Sequence, residues 1–201
     1  MTILRGSFSR AFSLIELLVV FALIAFAYAL LSSNLSPEHR ESQTERCSDN
    51  LQKIFLASQI YANDFGKFPL NTNARTSEQV LTELVPRYTA DRSIFICPWG
   101  RDREISSDAT LADCRISYAY YMGRGSNAEP GDFLLSDRQV NNLSKYAGDI
   151  VFSTNGSLPA NNHGRYGGNV LFCDDSVQKI PPRTPFSLAF SNGIVLLNPK
   201  P

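Results

Sequence analysis

The sequence predicts an α+β fold with an antiparallel sheet, and three observations carry that reading. A twenty-residue apolar run, Phe12 to Leu31, opens the chain; an amphipathic stripe follows; and the remainder breaks into short aromatic or β-branched pieces bounded by Gly, Pro, Asn or Asp. The chain has 201 residues, enough for one globular domain plus an extra segment. Nineteen Lys and Arg balance nineteen Asp and Glu. Such neutrality argues against a nucleic-acid binder, which would carry a basic excess.

The apolar run holds one charge, Glu16. Twenty residues at 1.5 Å rise give a helix of about 30 Å, the thickness of a bilayer's hydrocarbon core. Arg5 and Arg10 precede the run with no acidic residue between them, so the positive-inside rule keeps the N-terminus cytoplasmic and exports the body. A removable signal with cleavage near Ala25-Phe26-Ala27 or Ala27-Tyr28-Ala29, a plain signal anchor and a specialised signal all fit this composition. Glu16 separates them. A carboxylate near the start of an apolar helix costs a few kcal/mol if placed deep in lipid, and such residues serve a function.

The residues Ala11-Phe12-Ser13-Leu14-Ile15-Glu16-Leu17-Leu18-Val19-Val20 resemble the cleavage and methylation motif of type IV pilins and type II secretion pseudopilins. The resemblance implies that a prepilin peptidase cuts between Ala11 and Phe12 and methylates the new amino terminus. It implies further that the Phe12 ammonium pairs with Glu16 of a neighbouring subunit, so that each buried charge is neutralised only on assembly. Ala11 stands where the family usually has glycine. Gly6 is no substitute, because a product beginning at Ser7 carries Arg10 where the apolar run should start.

Beyond the run, Ser32 to Glu38 leaves the membrane and Pro37 suits a first helical turn. The spacing predicts a helix from about Glu38 to Asp64, with Leu51, Ile54, Phe55, Ser58, Tyr61, Ala62 and Phe65 on one face and Gln52, Lys53, Gln59 and Asn63 on the other. Gly66 ends it. A short helix is expected over Ser77–Tyr88, capped by Ser77, with Val80, Leu81, Leu84 and Val85 facing inward. Strands are expected at 94–97, 115–121, 131–136, 148–152 and 168–173, with a further candidate at 193–197. The organisation is thus a leader (1–11), a transmembrane half-helix (12–31), an amphipathic half-helix (32–66), an extracytoplasmic body (67–180) and a C-terminal tail (181–201).

The body carries a second set of motifs: Cys47-Ser48-Asp49-Asn50-Leu51, Tyr61-Ala62-Asn63-Asp64-Phe65-Gly66, Phe95-Ile96-Cys97-Pro98, Ile116-Ser117-Tyr118-Ala119-Tyr120 and Gly168-Asn169-Val170-Leu171-Phe172-Cys173-Asp174. As a set they resemble the prepilin-type proteins abundant in Planctomycetes, Verrucomicrobia and Lentisphaerae. That family ends its domain with a histidine, a Gly-Asn strand and Asp-Gly. His163 and Asp174 match, whereas Asp175 replaces the glycine of a turn that favours positive φ.

Four cysteines lie outside the apolar run, show no C-x-x-C or zinc-type Cys/His spacing, and admit three pairings as well as unpaired buried thiols. The resemblance implies Cys47–Cys97, since those two recur in the family. Beside that family pair, Cys114 and Cys173 look like an addition particular to this lineage that would arrive together, and their strand parity with Ile116, Tyr118 and Leu171 is compatible with a shared apolar face.

No hydrolase elbow, phosphate-binding loop or metalloprotease helix is present, and no enzyme is expected. His39 lies among Glu38, Arg40 and Glu41; His163 has Ser153 and Asp149 as nominal company but reads as a side chain bonded to the loop before the last strand. No cofactor is expected. Asp137, Asp149, Asp174 and Asp175 lie in oxygen-rich loops, and Asp174 and Asp175 are weak Ca²⁺ candidates because major pseudopilins bind Ca²⁺ in their final β loop. Tyr118, Tyr120 and Tyr121, with Phe95, Trp99 and Tyr88, admit an adhesive patch but read as core.

The resemblance therefore implies a pilin-like subunit of a type IV pilus-like filament, foremost a type II secretion pseudopilin. Helices from Phe12 to about Asp64 would bundle in the filament, in an inner membrane with the body periplasmic. Its partners would be other pilin subunits, prepilin peptidase, the secretion platform and the membrane, with no nucleic acid. An adhesive minor pilin that binds surfaces or polysaccharide and a signal-anchored exported enzyme are the alternatives.

Overall fold

Helix α1 runs Leu14–Ser32 and helix α2 runs Pro37–Phe65 in the computed structural model, which describes residues 13–32 and 37–201 and, for side chains, 13–30 and 41–201. Residues 1–12, on which the expected leader and its cleavage between Ala11 and Phe12 fall, lie outside the described residues. So do residues 33–36, and nothing is assigned to the His39 side chain. The chain forms two units, 1–40 and 41–201.

In the first unit every described side chain of α1 is exposed, Leu14, Phe21 and Phe26 at 78%, 63% and 64% among them. Glu16 stands in its first turn, bonded through its backbone N–H to the Ser13 carbonyl. Nineteen residues reach about 28 Å. Among the described residues no helix is long and apolar enough to cross a membrane.

The second unit is α+β. Helix α3 covers Ser77–Leu81 and passes into a 3₁₀ turn, Thr82–Leu84; two more such turns lie at Ser93–Phe95 and Leu111–Asp113. Strands β1 (Tyr118–Met122), β2 (Phe133–Asp137), β3 (Gly168–Phe172), β4 (Val177–Ile180) and β5 (Val195–Leu197) form one sheet in the order β4-β3-β2-β1-β5, and every neighbouring pair is antiparallel.

Helix α2 presents the expected stripe to this sheet: Cys47, Leu51, Ile54, Phe55, Ser58, Tyr61 and Ala62 are buried. Phe65, placed on that stripe by its spacing, is instead 52% exposed at the helix end. Gly66 stops the helix at φ +70°, its N–H donating to the Ala62 carbonyl. On the sheet face toward α2, Tyr118, Tyr120, Met122, Leu134 and Leu171 join the α2 residues in one core. Ala119, Tyr121, Phe133 and Val170 point the other way into a second core, closed by Val151, Phe152, Ala160, Ile180, Leu188 and Leu196. Both faces are therefore covered, and β1 and β2 are buried at every position. This removes the adhesive-patch reading of Tyr118, Tyr120 and Tyr121, all 0% exposed.

Several sequence expectations give way to longer-range packing. At residues 94–97 there is no strand: Ile94 and Phe95 belong to the 3₁₀ turn Ser93–Phe95, Phe95 is buried in the core, and its carbonyl accepts from Ser117 N–H in a single contact. Segment 148–152 makes one bridge, Ile150 to Arg183, while Val151 and Phe152 serve the second core. The helix at Ser77 ends far short of Tyr88. Thr76 is its N-cap residue, and Ser77 Oγ donates to the Tyr118 carbonyl at 2.7 Å instead of capping. Strand β4, Val177–Ile180, has no counterpart among the expected strands. Residues 181–201 belong to the body: β5 is an edge strand beside β1, and Lys200 N–H donates to Glu78 Oε1 at 2.9 Å.

Candidate functional site: a buried Cys–Cys–Asp–His cluster

Four chain segments meet on the α2 side of β2. Cys47 comes from α2, Cys97 from the turn after Ser93–Phe95, Asp137 from the end of β2 and His163 from the long β2–β3 connection. Their exposures are 0%, 1%, 0% and 2%. Cys47 and Cys97 are joined as a disulfide across a sequence separation of 50, with Cα atoms 5.3 Å apart.

Asp137 is a buried carboxylate with its hydrogen bonds supplied. Asn162 Nδ2 donates to Oδ1 at 2.8 Å and the backbone N–H of Asn169 donates to Oδ2 at 2.7 Å. Asn162 Nδ2 also donates to the Ser117 carbonyl at 2.6 Å, tying the loop to the residue just before β1. His163 Nδ1 stands 3.6 Å from Asp137 Oδ2, beyond hydrogen-bond range. Its Nε2 is buried with no hydrogen-bond partner. Trp99 stacks on the imidazole at 5.4 Å between centroids, and Tyr166 stacks on Trp99 at 5.8 Å. His163 is thus clamped from the ring face and directed at the sheet, not bonded to the loop before β3 as its sequence context suggests.

A second buried polar group lies nearby. Asp102 accepts from Ser117 Oγ at 2.7 Å and pairs with Arg115 at 2.8 Å and Arg138 at 3.4 Å. Arg138 donates to the Ile116 carbonyl at 2.7 Å, and burial lowers its pKa against the pull of Asp102. This network holds the residues just before β1, where the Arg138 N–H donates to the Ser117 carbonyl next to the Tyr118–Asp137 pair of β1 and β2.

Among the described residues, the group of His, Cys, Asp or Glu side chains close enough to share one ion is Cys47, Cys97, Asp137 and His163, whose donor atoms lie within 4.8 Å of one another. Asp149 lies elsewhere, accepting from Tyr146 N–H, so it does not complete a triad with His163. Asp174 and Asp175 are exposed in the β3–β4 turn and outside the cluster. Ser176 donates to Asp174 from both N–H and Oγ, which holds that carboxyl below the usual range; desolvation, then the Asp174 charge, raises Asp175. Asp175 adopts φ +69°, the left-handed conformation expected of the residue in that glycine's place.

Cys114 and Cys173 are free thiols, not the second disulfide. Cys114 follows the 3₁₀ turn beside Arg101, Arg103 and Arg115, whereas Cys173 closes β3 against the α2-side core. Matching strand parity put both on apolar faces, but parity carries no information about distance along a sheet. The cluster itself left little trace in the sequence, since zinc-type spacing rules read local pairs and these four residues come from four distant segments.

No family model, curated protein or solved structure matches the chain. The prepilin resemblance therefore rests on the quoted motifs alone.

Proposed function

We propose that the chain is a subunit of a type IV pilus-like filament, of the type II secretion pseudopilin kind, processed between Ala11 and Phe12 and assembled through its N-terminal helix. The observation that supports this reading most is α1, whose apolar side chains from Leu14 to Leu30 are all exposed, with the carboxylate of Glu16 in the first turn. A helix of that composition needs lipid or other helices around it. The proposed span, 12–31, includes residues beyond those described, and α2 then continues to a disulfide-linked α+β head.

In this reading the role is mechanical. Helices bundle, the Phe12 ammonium and Glu16 set the register between subunits, and the body faces outward at an inner membrane with its N-terminus cytoplasmic. The expected partners are other subunits, a prepilin peptidase and a secretion platform.

The test compares wild type with Glu16→Ala in the same cells, with N-terminal sequencing of the mature chain. Expected are a methylated start at Phe12 and loss of filament incorporation in the variant at unchanged membrane level. A mature start after Ala27 or Ala29, or incorporation indifferent to Glu16, overturns the proposal.

A further inference from the structure

We propose that Cys47, Cys97, Asp137 and His163 form a tetrahedral Zn²⁺ site in the dithiol state of the protein, the disulfide and the metal being alternative closures of one buried cluster. The inference stands independently of the filament reading.

The donor set fits zinc by type and by number. Two soft thiolates, an imidazole and a hard carboxylate are all donors that Zn²⁺, a borderline d¹⁰ ion, accepts in a tetrahedron, and four protein ligands with no free position make a structural site. The donors already converge within 4.8 Å. Bonds of about 2.3 Å to sulfur place two thiolates about 3.8 Å apart in a tetrahedron, inside that envelope.

The surroundings also suit a metal. Asn162 and the Asn169 N–H orient the Asp137 carboxylate, as outer-shell donors orient ligating carboxylates, and Trp99 fixes the plane of the His163 ring. His163 Nε2 is the unexplained atom. A buried ring nitrogen with no partner forgoes an interaction that hydrogen bonding or a metal would supply.

The chemistry balances with a dithiol reductant. The reductant passes two electrons and two protons to the Cys47–Cys97 bond, giving two thiols and the reductant's own disulfide. Zn²⁺ then displaces one proton from each thiol and binds neutral His163 and ionised Asp137. Loss of the ion and two-electron oxidation by a disulfide donor restore the covalent bond.

The experiment uses the full chain in detergent micelles on a Cys114→Ser/Cys173→Ser background, so that thiolate signals report only Cys47 and Cys97. After reduction with a trialkylphosphine and its removal under anaerobic conditions, Co²⁺ is titrated while circular dichroism follows the fold. Expected is one Co²⁺ per chain with a thiolate-to-metal charge-transfer band and the intense visible bands of a tetrahedral ion. Zn²⁺ displaces it, the oxidised chain binds none, and His163→Gln or Asp137→Asn weakens uptake at least tenfold. Three results overturn the proposal: a folded reduced chain that takes up no Co²⁺, a reduced chain that stays unfolded when Zn²⁺ is added, or uptake unchanged in both His163→Gln and Asp137→Asn. If either variant fails to fold, stoichiometry and band intensity of the parent decide.

Discussion

Gly167, at φ +95°, packs so closely on Ile180 that a Cβ there would collide with the Ile180 carbonyl oxygen. The contact lets β3 begin directly beside the end of β4 in the sheet, and the next residue, Gly168, pairs with Ile180 while abutting the Phe152 ring. Gly167→Ala adds left-handed strain to a backbone clash and should cost at least about 2 kcal/mol. A urea midpoint equal to wild type would contradict it.

The disulfide closes a loop of 50 residues, for which the chain-entropy account gives about 4 kcal/mol. Cys97→Ser, measured with a chelator present so that no metal substitutes, should lose stability of that order. Wild type unfolded without reductant should expose two titratable thiols per chain, those of Cys114 and Cys173. Finding none would restore the second bridge.

Burial pushes the Cys173 thiol up to about 11, with Arg124 opposing. At pH 8 its thiolate fraction is roughly a hundredfold below that of an unperturbed thiol, and the thiolate is the nucleophile. Alkylation of Cys173 in the native protein should therefore be slowed by about that factor relative to the unfolded chain. Peptide mapping after timed iodoacetamide treatment measures the ratio.

Lys145 is 3% exposed, and its Nζ donates to the Asn141 carbonyl at 3.1 Å and the Leu143 carbonyl at 2.5 Å. Burial lowers its pKa to about 8 from 10.5, with Asp149 pulling the other way. Below pH 8 both folded and unfolded chains hold the proton, and the cost of burying the charge stands in full. Between pH 8 and 10.5 the unfolded chain holds more protons, so this group's contribution to stability rises with pH. The stability difference between wild type and Lys145→Met should thus move in favour of wild type by up to about 3 kcal/mol across that window. A flat difference from pH 7.5 to 10.5 refutes the assignment.

Asp175 occupies a left-handed turn position at φ +69°. Asp175→Gly relieves the strain at some cost in unfolded-chain entropy, and should raise stability by up to about 1 kcal/mol. The Gln52 Nε2 bond to the residue 175 carbonyl survives, because it uses backbone oxygen. A lower Tm for the variant would show that the Asp175 side chain contributes more than its backbone costs.

Local patterns determined the elements whose information is local. The spacing of Leu51, Ile54, Phe55, Ser58, Tyr61 and Ala62 defined the buried face of α2, Gly66 marked its end, and the aromatic and β-branched runs located β1, β2 and β3, each within a few residues. The α+β class followed from these. Tertiary structure alone decided the sheet order, the strand β4, the second core that hides Tyr121, and the place of residues 181–201 as part of the body. It also decided the fate of the cysteines and the meeting of Cys47, Cys97, Asp137 and His163. Periodicity reports which face of an element seeks burial. Which other segment meets that face, and at what distance, is set by packing between residues far apart in the chain, and the spacing of residues within one segment does not encode it.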